Sequence, residues 1–370
     1  MNKKTKVLFL LEAFDKGGIE KVTLDIVNHL DPEKYDITVQ TFWYGGHCQS
    51  LVAPHAKVIP FFFRRYVRGV IRLIAYLSPK MLYRLFVHGD YDVEIAASDG
   101  GAAKVISGST NPHSRKVCWV HMDVVERGSK LREFENAETA RPIYSKFDVI
   151  VPVSEACKNQ FIRKFGDGYP LRVVQNPMCT ADIIAKAEQF TPDFPCGTTN
   201  FVCVGRLVEQ KGFDRLLQAA ARVKNDTDRP FHIYIAGEGP CRNKLEEMIS
   251  ALGLDNEFTL LGFCQNPYPY LKHASVFLLS SRDEAYPLVV GESLIVGTPV
   301  IATDCSGVRE WLKDGEYGMV LDNSTDGIYE GMVQSLCNPD ILALYRSRIP
   351  EVQKSISFER GLEDFEAILR

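Results

Sequence analysis

No run in this 370-residue chain approaches the roughly 20 consecutive apolar residues that a spanning helix needs, so no membrane span is expected. The lysines and short apolar core of residues 1–11 lack a small-residue cleavage site, and read as a first buried strand rather than a leader. The ten cysteines form no Cys-x-x-Cys pair and no Cys/His cluster at zinc spacing, which disfavours a structural metal. Reduced thiols in a cytoplasmic setting, mostly small core residues, are expected instead. Gly17-Gly18 lacks the third glycine of a G-x-G-x-x-G fingerprint, which disfavours a nicotinamide oxidoreductase. The only Asp-x-Asp strings, Asp90-Tyr91-Asp92 and Asp226-Thr227-Asp228, fall in connections before strands rather than at strand C-terminal ends, so neither is read as a metal site.

What is present is ordinary globular composition, 45% hydrophobic and 24% charged, at a length that suits two domains. The net charge of −4 hides an asymmetry: residues 1–180 carry +6 and residues 181–370 carry −10. A basic first half points to an anionic partner for one of its faces. The continuous apolar run at 6–11 and the stretches 35–42, 58–61, 93–97, 116–120 and 149–153 read as strands, separated by helical patterns at 19–30, 99–108, 130–146 and 154–165. After a turn-rich stretch at 191–197, a second series follows, with strands at 201–205, 232–236, 258–262, 276–280 and 299–302. Helices are expected at 213–223, 241–252 and 288–296, a short one before 275, and a final amphipathic one at 358–369. Repeated βα units predict two doubly wound parallel sheets, an α/β fold. The domains are expected at 1–178 and 195–352, with 353–370 a terminal helical segment.

The stretch 282–297 organises the second half. Residues 288–296 are almost wholly apolar, so as a helix they must be buried, yet Glu292 stands among them. A buried carboxylate needs a partner. Helical side chains lean toward the N-terminus, where Tyr286, Pro287, Leu288 and Val289 offer N–H groups, the proline nitrogen apart. Glu284 stands on the loop ahead. Two carboxylates with a ring of N–H donors suit a polyhydroxylated anion such as a sugar nucleotide; equally, Glu292 could serve only to complement the helix dipole.

Other residues carry chemistry by position. Arg206 and Lys211 follow the 201–205 strand and precede a helix start, where cations oppose the dipole unless an anion lies between them. His121 ends a buried strand, where α/β sheets form sites, although an ordinary polar strand end reads the same. Residues 61–87 hold six cations, Arg64, Arg65, Arg68 and Arg72 among them, with many aromatics and no acid. Such a segment lies on an anionic bilayer, or packs on its own sheet with its cations solvated.

Gly205-Arg206 with Lys211-Gly212, then Gly237-x-Gly239-Pro240, Glu284 and Glu292 with seven residues between, and Gly297-x-Pro299 resemble the retaining glycosyltransferases of family 4. Gly17-Gly18-x-Glu20 and His121 resemble that family's first-half motifs. The resemblance implies a GT-B fold: two Rossmann-like domains facing across a cleft, with the last helix crossing back to the first. It implies that Arg206 and Lys211 neutralise the donor diphosphate, that Glu292 holds the ribose and that Glu284 lies beside the transferred sugar. The 286–289 backbone, Gly237 and Phe263 would complete the donor site, His121 would meet the sugar, and Gly17 and Gly18 would let the first domain approach. A nucleotide sugar, UDP-linked rather than GDP-linked, is the implied donor, with no cofactor, no metal and no nucleic-acid partner. The acceptor expected is a saccharide or a lipid-linked saccharide of cell-surface polysaccharide synthesis, with the enzyme cytoplasmic and peripheral on the membrane through 61–87. Ala285, where many relatives have glycine, leaves the donor sugar open, and Gln175-Asn176-Pro177 lacks the usual glycine. A hydrolysing sugar-nucleotide epimerase or a non-catalytic sugar-nucleotide-binding subunit would share the fold.

Overall fold

The computed structural model describes residues 3–12, 17–43, 49–63, 75–121 and 132–370. The chain divides into two compact units: Met1–Met178 with Phe358–Arg370, and Cys179–Ser357.

In the first unit, six strands pair in parallel: β1 (Thr5–Leu11), β2 (Tyr35–Trp43), β3 (Lys57–Phe63), β4 (Val93–Ala96), β5 (Arg115–Val120) and β6 (Val149–Pro152), in the order β3-β2-β1-β4-β5-β6. β1, at the middle of the sheet, is a continuous apolar run because both faces of a parallel sheet are covered; Val7 to Leu11 are all buried. The helix Gly18–His29 returns the chain from β1 toward β2, burying Val22, Ile26 and Val27. The helix Phe358–Glu366 belongs to this unit, as the resemblance implied. Phe365, wholly buried, stacks on Phe9 at 6.1 Å and meets Trp119 in a tilted contact at 5.0 Å, while Phe358 meets His29 edge-on at 4.6 Å. Arg115 Nε donates to Ile368 O at 2.7 Å, tying the chain end to β5. Burying one such aromatic side chain contributes roughly 1.5–3 kcal/mol.

The second unit repeats the design with β7 (Thr199–Val204), β8 (Phe231–Ala236), β9 (Phe258–Gly262), β10 (Val276–Leu279), β11 (Val300–Thr303) and β12 (Met319–Leu321), in the order β12-β11-β10-β7-β8-β9. Read from β7, this is the same 3-2-1-4-5-6 order. Its core gathers Phe201, Leu216, Leu217, Ile233, Leu278 and Met332, so the helices Phe213–Asp226 and Thr325–Cys337 bury their apolar stripes against the sheet.

Several expectations need correction. β3 runs to Phe63, so the basic segment opens as strand backbone rather than helix. Its Arg64, Arg65, Arg68 and Arg72 lie outside the described residues, whereas Pro79–Phe86 is a helix capped by Ser78. The helix read at 130–146 is a 3₁₀ turn at Arg132–Phe134 followed by a helix at Ala137–Tyr144, because Asn136 caps the chain late with a reciprocal capping box. The three-residue β12 and the helix Pro339–Ser355 carry no sequence signal that the reading had used. The Asp-x-Asp strings serve as ties: Asp92 accepts from Lys6 N at 2.8 Å, and Asp226 from the Tyr329 hydroxyl at 2.8 Å.

Candidate active site

In an open α/β sheet ligands bind beyond the strand C-termini, where the strand order reverses. In the second unit that point lies between β7 and β10. The loop after β7 supplies Arg206 and Lys211; the loop after β10 supplies Glu284. The structure brings two of the three together. Lys211 Nζ donates to Glu284 Oε1, and the Ser281 hydroxyl donates to the same oxygen at 2.7 Å. Both partners are largely sheltered, with side chains 18% and 12% exposed. The Arg206 side chain is exposed and makes no hydrogen bond or ion pair among the described residues. One cation is thus neutralised within the site and the other is presented to solvent.

The two loops are stitched along their length. Arg282 N donates to Gln210 O at 2.7 Å, Gln210 Nε2 to Asp283 O at 2.7 Å, and Ser280 Oγ to Lys211 O at 2.8 Å. Arg282 forks onto both Asp214 oxygens at 2.8 and 2.7 Å, which holds the Asp214 carboxyl below its ordinary range. Gly212 turns the β7 loop into its helix at φ +65°, and a Cβ there would lie 2.1 Å from Ser280 O. Only glycine meets both demands. Asn323, after β12, reaches under the same loop: its Nδ2 donates to Arg282 O at 2.9 Å, and its Oδ1 accepts from Arg215 at 2.9 Å.

Gly237 has a packing role. Leu207 N donates to Glu238 O at 2.9 Å and Cys241 N to Leu207 O at 2.9 Å, so the loops after β7 and β8 lie backbone to backbone. A Cβ on Gly237 would fall 1.8 Å from Gly205 O. Phe263 follows β9 at the same edge and is 45% exposed.

Glu292 is buried on the helix Leu288–Ile295 and accepts from the Tyr268 hydroxyl at 3.1 Å. Sequence reading looked only to the helix start for its partner; Tyr268 comes from the helix Tyr268–His273, which no spacing rule connects to Glu292. Pro287 caps the helix, and Leu288 and Val289, in its first turn, are partly exposed and positioned to offer N–H groups. The Tyr286 ring is turned away, stacked on Trp311 at 4.8 Å, and burial raises its phenol pKa strongly.

The first unit holds the remaining residues. Gly17 is the extended N-cap of the first helix and Gly18 its exposed first residue. His121 directly follows β5, its ring 4.3 Å from that of Trp119. Its Nε2 is buried without a hydrogen-bond partner among the described residues, and desolvation lowers its pKa from 6.5 to about 3, so the imidazole is neutral at pH 7. Sequence reading passed over Ser98 and Asp99, which follow β4 at this sheet's own switch point, ahead of Gly100 at φ +93°. Ser281, Gln210 and Asn323 were also missed; only the Ser280-Ser281 pair at a strand end offered a signal. No cluster of three His, Cys, Asp or Glu side chains with metal-binding geometry occurs among the described residues, and none of their helices is long and apolar enough to cross a membrane.

Two α/β units with these sheets define the GT-B fold. The crystal structure of HepE from Anabaena, in complex with UDP and glucose, superposes with a TM-score of 0.78 over 99% of both chains at 18% identity, a likeness of fold. The Glycosyltransferase Family 4 model matches residues 16–181 and the model for glycosyl transferases group 1 matches residues 186–343. An uncharacterized glycosyltransferase of Methanocaldococcus jannaschii is 42% identical over 113 residues, 30% of this chain and 28% of that protein. N-acetylgalactosamine-N,N'-diacetylbacillosaminyl-diphospho-undecaprenol 4-alpha-N-acetylgalactosaminyltransferase of Campylobacter jejuni is 28% identical over 209 residues, 56% of this chain and 55% of that protein. The chain thus matches between about a quarter and about half the length of these two curated relatives. Together the paired domain matches and these relatives support a glycosyltransferase of the GT-B class.

Proposed function

We propose that this chain transfers a hexose or N-acetylhexosamine from a nucleotide sugar, UDP-linked rather than GDP-linked, to a saccharide or lipid-linked acceptor with retention at the anomeric carbon. The observation that carries the reading is the cluster at the second switch point: a solvent-presented Arg206, Lys211 held by Glu284, and Glu292 buried on the adjoining helix. The nucleotide ligand of HepE and the undecaprenyl-linked substrate in the name of the Campylobacter relative support the donor and acceptor classes.

In this reading Arg206 and Lys211 take up the charge that develops on the departing diphosphate. A preorganised cation placed where charge develops is the largest contribution such a site can make. The acceptor oxygen bonds to the anomeric carbon on the face from which the phosphate oxygen departs, and that phosphate oxygen takes the acceptor's proton. Glu292 is assigned to the ribose hydroxyls, Glu284 to the transferred sugar, and the Leu288 and Val289 N–H groups to the donor's oxygens. His121, a neutral imidazole, is assigned a hydrogen bond to a sugar hydroxyl rather than a charge. No metal enters this scheme.

The test is incubation with a panel of UDP- and GDP-sugars, with and without a lipid-linked acceptor, following nucleotide release and the anomeric configuration of the product. Release that strictly requires acceptor, with a retained anomer, is the expected result. Acceptor-independent release with an altered free sugar would establish an epimerase instead.

The proposal extends to peripheral association with an anionic membrane at the cytoplasmic face. Its support is the basic composition of 61–87 and, on the helix Pro79–Phe86, the outward Met81 and Leu85, 56% and 39% exposed one turn apart, beside the exposed Tyr76. Changing Arg64, Arg65, Arg68 and Arg72 together to Gln should release the protein from phosphatidylglycerol vesicles in a sedimentation assay. Undiminished sedimentation would remove the membrane from the reading.

A further inference from the structure

Lys211 has two claims on it. The proposed function assigns it to the donor diphosphate, while the structure pairs it with Glu284. Glu284 in turn has Lys211 and the Ser281 hydroxyl as its hydrogen-bond partners among the described residues. Both side chains are mostly sheltered, and separating a sheltered pair leaves an under-compensated charge, a far larger cost than breaking an exposed pair. A diphosphate that draws Lys211 away therefore leaves the Glu284 carboxylate short of a donor, unless the ligand supplies one.

An intact nucleotide sugar can supply one, because its sugar carries hydroxyl groups beside the diphosphate. A free nucleoside diphosphate, whose ribose hydroxyls are assigned to Glu292, has none to bring to Glu284. Arg206 is outside this exchange, being exposed and without an ion-pair partner among the described residues.

Resting on the proposed function, we infer that the Lys211–Glu284 pair is an exchange latch that discriminates the intact donor from the nucleoside diphosphate product. When the donor is bound, sugar hydroxyls replace Lys211 at Glu284 and Lys211 turns to the diphosphate. When the sugar has been transferred, Glu284 reclaims Lys211 and weakens the hold on the product. The carboxylate thus assists product release as well as contacting the sugar. The loop stitching maintains the exchange geometry: Ser280 Oγ and Gln210 Nε2 keep the two loops within reach of each other.

The test is calorimetric titration of UDP into the full chain and its variants. Glu284→Gln frees Lys211, and UDP should bind it about tenfold more tightly than wild type, within the range of coupling between contacting residues. Lys211→Gln should bind UDP about tenfold more weakly, a change of the same class. The double variant should match Lys211→Gln, since the gain from Glu284→Gln runs through Lys211. Glu284→Asp, with a shorter reach, should tighten UDP in the same direction by less, and serves if the glutamine variant is unstable. Unchanged or weaker UDP binding by both Glu284 variants, with Lys211→Gln still impaired, overturns the latch and leaves the nucleotide site standing. A full gain from Glu284→Gln in the Lys211→Gln background overturns it too, since simple repulsion by the carboxylate would then account for the effect. Wild-type protein that binds neither UDP nor GDP overturns the nucleotide reading and the latch together.

Discussion

At the switch point of the second sheet, β7 and β10 lead into Arg206, Lys211, Asp283 and Glu284, and the two loops are bound to each other through side chains and backbone. At the corresponding point of the first sheet, β1 and β4 lead into Gly17, Gly18, Ser98, Asp99 and Gly100, and β5 ends at a neutral His121. The strand order is the same in both. Connectivity therefore sets where loops converge, and the residues on those loops set the chemistry. The second unit presents cations suited to an anionic leaving group; the first presents glycines, a neutral imidazole and, at Asp99, an acid rather than a cation.

That contrast can be broken from either side. The largest effect is expected at Arg206: replacing it with Ala should lower turnover roughly 10²–10³-fold, with a much smaller change in donor KM. Turnover at the wild-type level would remove Arg206 from the leaving group. Phe365→Ala should come next, on stability rather than chemistry. It empties a fully buried site between Phe9 and Trp119 and should cost about 3–5 kcal/mol, read as a lowered denaturation midpoint of the first unit. A midpoint within error of wild type would mean that the terminal helix contributes little to that unit.

Gly212→Ala should be smaller but local to the second unit. The left-handed backbone alone costs roughly 1–2 kcal/mol for a residue with a Cβ, and the added carbon must also displace Ser280 O. Since Ser280 also anchors the Lys211 backbone, the shift carries Lys211 itself away from the place where it would meet the diphosphate, and UDP affinity should fall along with stability. Loss of stability with full retention of UDP binding would separate the seam from the site.

The remaining prediction is the pH dependence of His121. Its pKa in the folded protein, about 3, lies below the ordinary 6.5, so between those values the unfolded chain binds the extra proton. Stability therefore rises with pH across that window, and acidification from about 6.5 toward 3 removes it. His121→Gln should flatten the denaturation free energy over this range relative to wild type. An equally steep loss in the variant would mean that His121 is not buried in its neutral form.

Much of this molecule was legible in the residues. Six strands of the first sheet and five of the second were legible as strands, most plainly the continuous apolar run of β1, which a parallel strand covered on both faces favours. β12 escaped because three residues are too few to show a pattern. The helix at 130–146 was misjudged because periodicity extends past the point where Asn136 captures the helix start. Gly237 carried a motif in the sequence, but its close backbone packing on Gly205 could be seen only in the structure.

The sequence by itself determined the α/β class, the two βα series, the apolar helix around Glu292 and the cations that follow β7. These follow from periodicity and from local charge against the helix dipole, both of which act over a few residues. Only the tertiary structure decided that Lys211 is held by Glu284, that Tyr268 answers Glu292, that Asn323 supports the β10 loop and that Phe365 packs on Trp119. Those partners lie 24 to 246 residues apart, and the order of strands in each sheet, which no local pattern encodes, is what brings them within a few ångströms.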